Sequence, residues 1–115
     1  MCMNLTKKDI IAINQKFATG HFQKESSLDF ALQYIKHNIS WTKQLSYLIR
    51  AILIDHVFVD GNKRTSFMVL TTTVDLNLYK IEDKQAINLV KNWALKSENR
   101  IENIQRRIED AIKKK

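Results

Sequence analysis

The chain has no proline, two glycines (Gly20 and Gly61) and one cysteine (Cys2) in 115 residues. A β-sandwich or barrel needs a tight turn about every ten residues, and this chain has almost nothing to make them from, so an all-α fold is expected. One cysteine excludes an intrachain disulfide and a cysteine-rich zinc centre. No apolar run approaches the roughly 20 residues that cross a bilayer. The first residues also lack the basic-then-apolar layout of a secretory signal. The expectation is a soluble, cytoplasmic protein without a membrane partner.

What is present is ordinary for a folded protein. Apolar residues make up 44% and charged residues 27%, which argues against disorder. The length leaves room for one domain, taken as 1–115. A formal charge of +7 and a pI near 9.6 imply attraction to something anionic, whether nucleic acid, nucleotide phosphates or an acidic protein surface. Much of the excess lies in Arg106, Arg107 and Lys113 to Lys115, read as a solvated terminal run. Charge by itself names no partner.

Helical spacing of apolar residues recurs along the chain and predicts a compact bundle of five or six helices. Thr6 is placed to cap a first helix carrying Ile10, Ile13 and Phe17, with Gly20 ending it. Ser27 precedes Leu28, Ala31, Leu32 and Ile35. Leu45, Leu48, Ile49, Ile52 and Leu53 form a third stripe that runs up to His56. Phe67, Leu70, Thr71, Val74 and Leu78 describe a fourth, with Asn77 as a left-handed terminator. Ala86, Leu89, Val90 and Trp93 mark the next helix, and Ser97 is read as the cap of a last one with Ile101, Ile104, Ile108 and Ile112.

Between the third and fourth stripes lies a helix-loop-helix junction rich in chemistry. Gly61 allows a sharp turn and close approach of a ligand to the backbone. The first turn of the helix after it presents unpaired N–H groups and the positive end of the helix dipole, a ready anion site. Lys63 supplies a mobile point charge and Arg64 a fork for phosphate oxygens. Asp60 can hold Mg²⁺ against phosphates, and His56 can act as a general base because imidazole titrates near cytosolic pH. Each residue alone has a plainer role, as a cap or a solvated charge. Nine consecutive residues carrying all of them do not.

Neither of two better-known motifs accounts for the junction. Gly61-Asn62-Lys63-Arg64-Thr65 lacks the first glycine and the preceding strand of a P-loop. His56 and Asp60 have metal-pair spacing on a helix, but Gly61 and Asn62 break the helix and no second histidine is near.

His56-Val57-Phe58-Val59-Asp60-Gly61-Asn62-Lys63-Arg64 resembles the Fic/Doc signature H-x-F-x-D/E-G/A-N-G/K-R and matches every constrained position. The resemblance implies the Fic fold and a transferase with ATP as substrate and Mg²⁺ as cofactor. His56 then takes a proton from a target hydroxyl, Asp60 binds the metal, Gly61, Asn62 and Lys63 form the anion loop, and Arg64 clamps phosphate. A flap that aligns the target by strand addition is expected at Gly20, His21, Phe22, Gln23, Lys24 and Glu25. Members that transfer AMP read G-N-G-R-x-x-R, whereas Lys63 and Phe67 replace the second glycine of that pattern and its second arginine here. Both changes resemble the Doc branch, which implies a toxin kinase moving the γ-phosphate to Ser or Thr of a protein such as a translation factor. AMP transfer is the alternative reaction, and a non-catalytic basic module binding nucleic acid or a regulatory partner is the alternative class. The self-inhibitory pattern S/T-x-x-x-E-G/N is not met, because Ala94 precedes Glu98-Asn99 and Glu98 precedes Glu102-Asn103. A separate antitoxin protein is therefore the expected partner, with nucleic acid not a primary one.

Overall fold

Six α-helices and one very short β-ribbon make up the fold in a computed structural model that describes residues 4–34 and 39–115. The helices are α1 (Lys7–Asn14), α2 (Glu25–Gln33), α3 (Trp41–Ile49), α4 (Asn62–Leu76), α5 (Asp83–Lys96) and α6 (Ile101–Ala111). The ribbon pairs β1 (Tyr79–Lys80) antiparallel with β2 (Lys113–Lys114), Tyr79 opposite Lys114. The class is all-α, and no helix among the described residues is long and apolar enough to cross a membrane. Cys2 and Ile35 lie outside the described residues.

The apolar stripes become the core. Leu45, Leu48, Ile49 and Ile52 are fully buried along α3 and its continuation, where they meet Leu70 of α4 and Ile104 and Ile108 of α6. Trp93 packs into the same core from α5. Burying such side chains contributes about 1.5–3 kcal/mol each. Helix α3 packs on α6 and α2, while α4 packs on α1 and α5, so the junction between α3 and α4 sits at the centre of the bundle's connections.

Several element ends differ from the sequence expectation, each for a local reason. Helix α1 stops at Asn14, not Gly20; the N–H groups of Phe17 and Ala18 both close onto the Asn14 carbonyl, and the chain then leaves as a turn. Helix α2 starts at Glu25, two residues ahead of Ser27, which lies inside its first turn. Asn77 is not left-handed (φ −94°); it ends α4 by donating from its side chain to the Thr73 carbonyl at 2.8 Å, and Leu78 takes the positive φ of 65°. Leu78 thereby leaves the apolar stripe and is exposed. Ser97 does not open α6 but closes α5 in the left-handed conformation (φ 50°), and α6 begins only at Ile101. Lys113 and Lys114 form a strand instead of a loose tail, and Lys115 pairs with Asp75.

Candidate active site

The approach to the site is a widened helix. Over Arg50–Ile54 the chain of α3 continues as a π-helix, and the Asp55 N–H donates to the carbonyl five residues back, Arg50, at 3.1 Å. Such segments insert an extra residue into a turn and shift the register of the residues beyond them. His56 then adopts φ 58°, a left-handed conformation that costs a non-glycine residue roughly 1–2 kcal/mol. The helix is ended there and the His56 side chain stands exposed.

Val57 and Phe58 turn the other way and are fully buried. Phe58 stacks on Phe22 with centroids 5.2 Å apart, and the two residues form an antiparallel bridge. Gln23 and Lys24 both donate to the Val57 carbonyl, at 2.7 and 3.0 Å, and Val59 donates to the His21 carbonyl at 3.0 Å. The expected flap segment therefore lies directly along the motif loop. Glu25 departs from that expectation. It is the first residue of α2, and its carboxylate binds the Lys7 ammonium at 2.5 Å. Lys7 also binds Asp29 at 2.7 Å and lies 5.4 Å from the centroid of the Phe22 ring. The Asp29 and then the Glu25 carboxylate hold the Lys7 ammonium above the usual lysine range.

The loop is closed by Asn62. Its side-chain amide accepts from the Phe58 N–H at 3.1 Å and donates to the Phe58 carbonyl at 2.9 Å. That side chain is occupied in holding the loop, so what Asn62 offers a ligand is its backbone N–H. The Asp60 carboxylate accepts from the Gly61 N–H at 2.8 Å through one oxygen. Gly61, at φ 77°, precedes α4 without any side-chain cap, and the first helical bond is Thr65 N–H to the Gly61 carbonyl. The N–H groups of Asn62, Lys63 and Arg64 meet no acceptor among the described residues. Three open donors, the helix dipole and two exposed cations coincide at one helix end.

His56, Asp60, Gly61, Asn62, Lys63 and Arg64 line a single open cleft of about 520 Å³ together with Phe17 and Val59. Lys63 is shared with two neighbouring recesses. One, of about 480 Å³, extends from His56 to Lys91 and Leu95 of α5. The other, of about 410 Å³, is walled by Phe17, Phe67, Met68, Ile87 and Val90, with Arg64 and Lys91 beside them. Sequence reading missed Asn14, Phe17 and Lys91 here. For Asn14 one signal existed: it falls four residues after Ile10 on the apolar side of α1, where an amide is costly unless it is hydrogen-bonded.

A divalent cation fits this donor set only with help. No group of three or more His, Cys, Asp or Glu side chains capable of holding a metal occurs among the described residues. Asp60 contributes one carboxylate with a second oxygen uncommitted, which suits Mg²⁺ when phosphate oxygens and water complete its shell. Comparison with protein-family models, curated proteins and solved structures found no match.

Proposed function

We propose that the chain is a nucleotide-dependent transferase of the Fic/Doc type that moves the γ-phosphate of ATP to a Ser or Thr hydroxyl of a protein. A translation factor is the target that the Doc-like features point to, and a separate antitoxin is the regulatory partner. The observation that carries this reading is the convergence of an exposed imidazole, a carboxylate, three unpartnered N–H groups and two cations on one cleft.

The transfer needs little beyond positioning and charge stabilisation. The N–H groups of Asn62, Lys63 and Arg64 and the Arg64 guanidinium hold phosphate oxygens. The target hydroxyl oxygen attacks the γ-phosphorus while its proton passes to the His56 imidazole. The bond from the γ-phosphorus to the β,γ-bridging oxygen breaks, and ADP leaves. The Asp60 carboxylate would hold Mg²⁺, which would supply neutralisation of phosphate charge. The aromatic and aliphatic recess of Phe17, Phe67, Met68, Ile87 and Val90, next to three cations, supports a ligand with an apolar ring at one end and phosphates at the other. Phe67 is part of that wall and offers no second arginine clamp, which favours γ-phosphate over AMP transfer.

The test is incubation of purified wild type and His56→Ala with cell lysate and ATP labelled at the α or the γ position. Protein labelled from the γ position by the wild type alone is expected. Label from the α position would replace the reaction by AMP transfer. No label above the His56→Ala background from either position would overturn the enzyme reading.

A further inference from the structure

One buried side chain connects the flap, the anion loop and the first turn of α4. Asn14, the last residue of α1, is 1% exposed. Its amide nitrogen donates to the Asp60 carbonyl at 2.9 Å and to the Thr65 hydroxyl at 3.0 Å, and its amide oxygen accepts from the Gly20 N–H at 2.9 Å. The orientation of the amide follows from its partners: a backbone N–H requires the oxygen on one side, and a carbonyl requires the NH₂ on the other. The contact is also close. A Cβ added to Gly61 would lie 3.2 Å from the Asn14 amide nitrogen.

We infer that Asn14 is a positioning residue that makes the flap base and the phosphate-binding loop one mechanical unit, so that neither takes its working geometry without the other. The consequence for nucleotide binding rests on the transferase reading above; the consequence for loop order does not. Asparagine alone meets all three partners. An aspartate of the same shape keeps the acceptor for Gly20 but sets a carboxylate oxygen against the Asp60 carbonyl, with a repulsion where a hydrogen bond had been. Helix α1 thereby reaches the cleft without contributing a group that touches the reacting atoms.

The experiment compares wild type, Asn14→Asp, Asn14→Ala and Ile10→Val, the last weakening the packing of α1 without touching the loop. Amide hydrogen exchange is measured on the ligand-free proteins. The Val59 and Gln23 N–H groups join flap and loop but do not touch Asn14. In both Asn14 variants they are expected to exchange at least tenfold faster than in wild type, relative to Leu89 and Val90 in α5, whereas Ile10→Val shows no such selectivity. Exchange unchanged at those two amides, or raised equally throughout the chain, would overturn the inference; Asn14→Asp carries the comparison should Asn14→Ala fail to fold. Calorimetric titration with a non-hydrolysable ATP analogue and Mg²⁺ forms the second arm. Affinity at least tenfold weaker in Asn14→Asp than in Ile10→Val is expected, and equal affinity would overturn the positioning role. Failure of the wild type to bind the analogue would instead remove the proposed function, leaving Asn14 to be decided by the exchange data.

Discussion

His56 and Gly61 both sit beside the cleft in the left-handed region, at φ 58° and 77°, yet substitution should affect them in opposite ways. At Gly61 an added Cβ meets the Asn14 amide nitrogen at 3.2 Å and the Ala18 Cβ at 3.3 Å, and the backbone conformation itself disfavours any L side chain. Gly61→Ala should therefore lower stability by about 1–2 kcal/mol, read as a fall in Tm. It should also weaken phosphate binding, since the loop must shift to admit the methyl group. His56 already bears the left-handed strain, and its exposed ring leaves no hole when it is removed. His56→Ala should stay within about 0.5 kcal/mol of wild type by thermal unfolding while transfer falls by roughly 10²–10⁴-fold, the range for loss of a general base. A large loss of stability in His56→Ala would mean that the ring is a structural group, and an unchanged rate would remove it from the chemistry.

At the scale of elements, the ends of helices carry the testable energetics. Helix α1 has eight residues and begins in a complete capping box: the Thr6 hydroxyl accepts from the Asp9 N–H at 3.2 Å, and the Asp9 carboxylate accepts from the Thr6 N–H at 2.9 Å. Thr6→Ala should cost about 1 kcal/mol, measured from urea unfolding. The Thr6 backbone bond, and after it the Thr6 hydroxyl bond, holds the Asp9 carboxyl below the usual carboxylate range. The stabilisation is thus complete above the unfolded value near pH 4 and is lost as the pH falls through the lower folded value. The gap in unfolding midpoint between wild type and Asp9→Asn should accordingly close on acidification; a gap constant from neutral pH down to about pH 2 would show that the carboxylate takes no part. This cap, the apolar stripes and the contiguous loop motif were legible because their determinants lie within one or two helical turns of each other. The role of Asn14 was not, since two of the three bonds its side chain makes span 46 and 51 residues. Nor was the π-helix over Arg50–Ile54, whose residues suit an ordinary α-helix. Ser97 misled because it is a capping residue type whose backbone conformation decides which end of a helix it serves, whereas Asn77 ends α4 as expected but through its side chain and not in a left-handed conformation.

For the whole molecule, the +7 charge serves either the cleft or a separate anionic partner, and the two roles are spatially separable. Lys80, Lys113 and Lys114 lie exposed on the β1–β2 ribbon, and none of them lines the cleft or either recess around the motif. Lys63, Arg64 and Lys91 do line those cavities. The double variant Lys113→Gln with Lys114→Gln removes two charges while keeping long side chains on an exposed strand that buries neither of them. For an enzyme, its transfer rate at saturating ATP should equal that of wild type, and its KM for ATP should rise by no more than about twofold at about 0.1 M salt, where exposed charges that line no wall of the cleft are largely screened. For a module that grips nucleic acid through its basic surface, duplex affinity should fall and the slope of log affinity against log salt should shrink by about one for each phosphate no longer neutralised. His56→Ala should leave that affinity untouched. A variant that keeps full transfer and never showed duplex binding assigns the charge to the cleft; one that loses tight duplex binding, in a protein that labels nothing from ATP, assigns it to the ribbon and makes the motif a structural loop.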